Sequence, residues 1–153
     1  MAIREVVKIG DSLLRKKSRE VTMFDERLAQ LLDDMAESMS SLNGVGLAAP
    51  QVGVLRRVMI TKFDDKVEEF INPVITDVHG AITEIEGCLS VPGRSGEVER
   101  PQKLTVKAQD RYGNQRILTA EGMFARIICH ETDHLDGVLF IDKAINMTDE
   151  EDD

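Results

Sequence analysis

Hydrophobic and polar positions along the chain change period several times, and each change marks an element. Residues 3–9 read as an extended lead-in. A short helical turn through Leu14 and Arg15 follows, which Asp11 or Ser12 is placed to cap. Over residues 25–42 the period is helical: Leu28, Leu31, Leu32, Met35 and Met39 recur at spacings of three and four. Asp25 and Glu26 stand at the start of that helix, where its dipole favours negative charge. Strand-like runs occupy residues 57–61 and 67–71, with Asp64, Asp65 and Lys66 as the turn between them. Asn72 and Pro73 interrupt the second run, residues 74–78 resume it, and His79-Gly80 reads as a turn with a surface histidine. Residues 103–109 and 115–119 form a predicted hairpin across the turn at 110–114. Glu121-Gly122 then leads into a second helix, where residues 125–135 contain no Gly or Pro.

That second helix carries the candidate chemistry. It contains His130-Glu131-Thr132-Asp133-His134, an H-E-x-x-H pattern holding two of the three histidines in the chain. Positions i and i+4 lie one turn apart on one helix face, so the two imidazoles can reach one metal ion. Glu131 sits about 100° round from His130, within reach of a water on that ion. Two neutral nitrogen ligands with an adjacent carboxylate suit metal-assisted hydrolysis. The competing reading is a buried helix whose histidines happen to fall four apart. Met123, Arg126 and Ile127 precede His130 by seven, four and three, so they share its stripe and could line a substrate pocket. On this reading Arg126 lends its apolar stem while its charged head reaches water. Ordinary core positions are the alternative for Met123 and Ile127.

Two further stretches are informative. Residues 44–53, Gly-Val-Gly-Leu-Ala-Ala-Pro-Gln-Val-Gly, imply close backbone approach or unusual dihedrals. They lack the pattern of a phosphate loop. Gln51 is the polar side chain in this loop, and a carboxamide can donate to an oxyanion. Residues 84–93 hold Cys88 behind a glycine, which by spacing alone reads as a buried cysteine at a strand end.

Composition narrows the class. A chain of 153 residues, 42% hydrophobic and 31% charged, fits one globular domain. A net charge of −9 argues against nucleic acid as the main partner, so no DNA is expected. No apolar run nears the ~18 residues of a membrane helix, and the N-terminus lacks a signal-peptide core, so the expectation is a cytoplasmic protein without a membrane partner. Two cysteines make no disulfide framework. Residues 1–147 are expected to form one catalytic domain, and residues 148–153 a disordered acidic tail.

Taken together, three stretches resemble the peptide deformylase family: Gly44-Val45-Gly46-Leu47-Ala48-Ala49-Pro50-Gln51, then Glu86-Gly87-Cys88-Leu89-Ser90, then His130-Glu131-Thr132-Asp133-His134-Leu135. The resemblance runs over roughly residues 3–142. It implies an α+β fold, with antiparallel strands packed round a central helix that carries H-E-x-x-H. It implies Cys88, His130 and His134 as ligands of one divalent metal, ferrous iron in the cell, with zinc, nickel or cobalt often found instead. Glu131 is then the general base, and Gln51 with the Leu89 N–H holds the oxyanion. The backbones of Val45, Gly46 and Gly87 pair with an extended peptide. The implied reaction is hydrolysis of the N-formyl group from formyl-methionyl peptides and nascent chains, releasing formate, with transient contact to the ribosome.

The chain departs from the family pattern in three places. Cys129 stands where the family often has Gln; it lies about 100° from His130 and about 140° from His134, off their face, and reads as a core thiol. Ser95 stands where many members carry a substrate-binding arginine, with Arg94 beside it as a candidate replacement. The chain ends acidic rather than in the basic helix some members use for ribosome docking. Two other classes compete. A zinc endopeptidase takes its third ligand downstream, where Asp136 is the nearest acid. An inactive relative keeps the metal for structure alone. The presence of Glu131 and Gln51 speaks against the second.

Overall fold

The computed structural model describes residues 2–149. Helix α1 (Glu26–Ser41) is capped by Asp25, whose carboxylate accepts the Leu28 N–H at 3.1 Å. Its apolar stripe is the expected one, with Leu28, Leu31, Leu32, Met35 and Met39 buried. Asp34 and Ser38 lie buried on the same helix. They tie down the lead-in: Asp34 accepts from the Ala2 N–H and from Arg4, and Ser38 from the Arg4 N–H. The lead-in stays extended, donating from Val7 N to Gln51 O and from Ile9 N to Ser90 O.

Eight strands follow in the described residues: β1 (Gly46–Ala48), β2 (Val58–Phe63), β3 (Lys66–His79), β4 (Ile82–Cys88), β5 (Val91–Arg100), β6 (Lys103–Gln109), β7 (Gln115–Glu121) and β8 (Ile145–Asp149). They form a five-stranded sheet, in the order β1-β2-β3-β6-β7, and a three-stranded sheet, in the order β4-β5-β8. All pairings are antiparallel. Helix α2 (Gly122–Leu135) is the central element, and most of its side chains from Ala125 on are buried.

Three sequence expectations change. The break at Asn72-Pro73 is a register shift inside one continuous β3. Pro73 has no N–H to give to a ladder, and Asn72 takes up the irregularity with φ at 53° while its side chain bonds Val21 and Gln109. Strand β5 is not among the expected strands; it pairs with β4 from Val91 to Arg100 and with β8 at Arg94, Ser95 and Glu97. Thr148 and Asp149, expected in a disordered tail, belong to β8. Its close crossing needs Gly96, where a Cβ would stand 2.5 Å from Met147 Sδ. The rest of the expected tail lies outside the described residues.

Candidate active site

Strand β4 and helix α2 bring three donors together. Cys88 ends β4, His130 and His134 stand one turn apart on α2, and their ligand atoms lie within 4.8 Å of one another. Cys88 Sγ is 3.3 Å from His134 Nε2. Among the described residues this is the cluster with metal-ligand geometry. Asp136, the acid an endopeptidase would need, instead bonds Arg57 at 3.0 Å.

A buried carboxylate orients the first histidine. His130 Nδ1 lies 2.8 Å from Glu86 Oε1, which leaves Nε2 to face the cluster. Glu86 is also gripped by Arg100, through Nε at 2.9 Å and Nη2 at 3.0 Å, and by Arg126. Arg100 passes the connection on to Asp133 at 2.6 Å. Burial alone would raise the Glu86 carboxyl, but His130 and Arg100 hold it down at about 2. Sequence reasoning assigned no role to Glu86, Arg100 or Asp133. The available signal was local: Glu86 stands two residues before Cys88, on the strand that delivers it.

Glu131 is buried, and its Oε1 has no hydrogen-bond partner. Burial pushes this carboxyl up to about 7, against the opposing pull of His130. The His130 imidazole is lowered by burial but raised further by Glu131, Cys88 and Glu86, to about 10. His134 is pushed well below its usual value by burial. The donor set fits a divalent metal: a thiol and two imidazoles match a tetrahedral site with one position open. An unpaired carboxylate oxygen buried beside them suits a reacting water.

Gln51 is fixed from both ends. Its Oε1 accepts the Ala48 N–H at 2.9 Å, which turns the amide nitrogen towards Ser90 Oγ at 3.1 Å and Cys88 Sγ at 3.6 Å. Gly46 makes room for Glu131, since a Cβ there would lie 2.4 Å from Glu131 Oε2. Cys129 is buried in the core, as expected, and burial pushes its thiol up to about 11.

These groups border a cleft of about 430 Å³. The candidate catalytic, metal-binding and substrate-binding residues named from sequence line it, with the exception of His134. Met123 is 54% exposed at the rim, so it is not core, whereas Ile127 is buried in the wall. One expectation needs correction. The Arg126 head does not reach water: it is buried against Glu86 and the carbonyls of Val98 and Ile82. The Val45 carbonyl accepts the Lys62 N–H at 2.8 Å, so that oxygen is engaged within the sheet. The antiparallel alternation then turns the groups of Gly46 to the open side. Gly46 lies on β1 and Gly87 on β4, each strand at the edge of its sheet, and both glycines line the cleft.

Comparison with known proteins agrees with this geometry. The family model described as Polypeptide deformylase matches residues 3–150. The chain is similar to a peptide deformylase of Caldicellulosiruptor bescii, with 56% identity over 99% of this chain and 91% of that protein. It is similar to peptide deformylase 1 of Clostridium acetobutylicum, with 53% identity over 94% and 95% of the two chains. The crystal structure of peptide deformylase from Thermotoga maritima superposes with a TM-score of 0.92 at 39% identity, covering 94% of this chain and 98% of that one. The chain belongs to the peptide deformylase family, metal-dependent hydrolases that remove the N-formyl group from nascent polypeptides.

Proposed function

We propose that Cys88, His130 and His134 hold the metal of this hydrolase and that Glu131 moves the protons of the reaction. The observation that carries the reading is the buried Glu131 carboxylate, with one oxygen unpartnered, beside three converging metal donors. A divalent metal bound there acidifies a water and polarises the formyl carbonyl. Glu131 takes a proton from the attacking water and returns it to the leaving amine. The Gln51 amide, fixed by Ala48, donates to the oxygen that becomes negative, and the Leu89 N–H is the second donor. Gly46 and Gly87 hold the peptide as an added strand between the two sheet edges. Ile127 and Met123, with the stem of Arg126, receive the methionine side chain. Ferrous iron is the metal in the cell, with zinc, nickel or cobalt as substitutes. The setting is the cytoplasm, with transient contact to the ribosome. No helix among the described residues is long and apolar enough to cross a membrane.

Formate release from formyl-Met-Ala-Ser by anaerobically purified, iron-loaded protein tests the reading. Turnover abolished by a chelator and restored by metal supports it. A metal bound one per chain with no turnover overturns it in favour of a structural metal.

A further inference from the structure

Three consecutive residues of the lead-in each hold a different residue of the site. The Val7 N–H donates to Gln51 O at 2.7 Å, Lys8 Nζ to Leu89 O at 3.2 Å, and the Ile9 N–H to Ser90 O at 2.8 Å. Gln51 stands in the short helical turn Ala49–Val52. Leu89 and Ser90 form the turn that joins β4 to β5 at the Cys88–Val91 pair. The two turns are far apart in sequence, and the lead-in spans them. Its other end is fixed on α1 through Ala2 and Arg4, and Val6 between is buried. The two turns also meet directly: Ser90 Oγ, on a fully buried residue, accepts from Gln51 Nε2 at 3.1 Å. That bond takes one amide hydrogen and leaves the other on the side of Cys88 Sγ.

Two donors stabilise an oxyanion together only when they point at one atom, and a misplacement of about 1 Å costs on the order of 100-fold in rate. Gln51 and the Leu89 N–H belong to separate turns, so their convergence depends on what holds those turns at one separation. The Ser90 hydroxyl and the lead-in both join them. We propose that residues 7–9 and Ser90 are positioning residues, a strap and a cross-link that keep the Gln51 amide and the Leu89 N–H aimed at one oxygen. The inference rests on the reading of these two groups as the oxyanion donors. Val7 and Ile9 act through backbone N–H groups, so no pattern of side chains along the chain signals their role.

Ile9→Pro tests the strap with little disturbance of the fold. The Asp11 N–H donates to Lys8 O at 3.2 Å and Gly10 has φ at 103°, so residues 8–11 form a turn whose second position suits proline. The substitution deletes the N–H that Ser90 O accepts. With iron-loaded protein and formyl-Met-Ala-Ser, kcat is expected to fall about three- to ten-fold, while KM, metal content and the thermal midpoint stay close to those of the natural protein. Ile9→Ala trims the side chain, keeps the N–H and loses less. Ser90→Ala is expected to lower kcat about ten-fold, but by less than about two-fold in a Gln51→Leu background, where the amide it orients is gone. Unchanged kcat in either Ile9→Pro or Ser90→Ala overturns the inference, as does an equal loss from Ser90→Ala with and without Gln51. A fall in metal content or thermal midpoint that accounts for the loss in Ile9→Pro also overturns it, since the strap is then structural alone. If Gln51→Leu itself keeps full kcat, the oxyanion reading fails and the inference fails with it. If Gln51→Leu is slow while Ile9→Pro and Ser90→Ala are not, the inference alone fails.

Discussion

Glu86 Oε1 and His130 Nδ1 are joined at 2.8 Å across the interior, linking β4 to α2. The same carboxylate pairs with Arg100 and Arg126, which are themselves buried, and Asp133 supplies a second negative charge to Arg100. One side chain thus sets the orientation of a metal donor and the charge balance of the core beneath it. Replacing Glu86 by Ala leaves the buried Arg126 without a carboxylate and Arg100 with Asp133 alone, and stability is expected to fall by about 3–5 kcal/mol. Metal affinity is expected to fall about 10–100-fold. Urea unfolding and chelator competition measure the two effects separately.

Glu131→Gln keeps the size of the side chain and removes its ability to accept a proton. Formate release is expected to drop by about 10²–10⁴-fold, with metal content unchanged. Metal analysis of the same preparation distinguishes this from loss of the site.

Gln51→Leu removes the amide that donates beside Cys88, and with it the acceptor for the Ala48 N–H. The expected loss is about 10²–10³-fold in kcat, with a smaller change in KM. Steady-state kinetics on the neutral formyl peptide separates these parameters.

Gly46→Ala puts a methyl group 2.4 Å from Glu131 Oε2. The strand or the carboxylate must move, at a cost of about 1–3 kcal/mol. Activity is expected to fall further than stability, because the displaced group is the proposed base. Thermal unfolding alongside formate release reads both.

Asp34 sets a pH dependence away from the site. The Ala2 N–H, together with Gln30 and Arg4, holds its carboxyl below the usual carboxylate range, against burial. Its folded pKa is thus depressed. The stability it contributes is present above the unfolded pKa of about 3.9 and is lost as pH falls through the folded value. Asp34→Asn is expected to be less stable than the natural protein at neutral pH, with the gap closing in acid. Urea midpoints across the acid range check the sign.

Much of the local structure was legible from spacing alone. The stripe of α1, the β6–β7 hairpin and the facing histidines on α2 follow from periods of 3.6 and 2, which depend only on near neighbours. The family resemblance carried the assignment of Cys88, because no local rule connects a strand end to a helix so far along the chain. Strand β5 was missed because Pro92, Gly93 and Gly96 interrupt any alternation of hydrophobic and polar positions, while its pairing is supplied by β4 and β8.

The sequence by itself therefore determined the two helices, four of the eight described strands and, through the family resemblance, the chemical identity of the donors. Only the tertiary structure decided where their charges go. It buried Arg126 against Glu86 where amphipathic reasoning placed its head in water, since a carboxylate from another strand met it inside. It turned the Val45 carbonyl towards β2, because strand alternation depends on the partner strand. It also set the edges of two separate sheets on one cleft, with Gly46 on one and Gly87 on the other. Hydrogen-bond partners and ion pairs between distant segments are fixed by how elements pack, and no period along the chain encodes them.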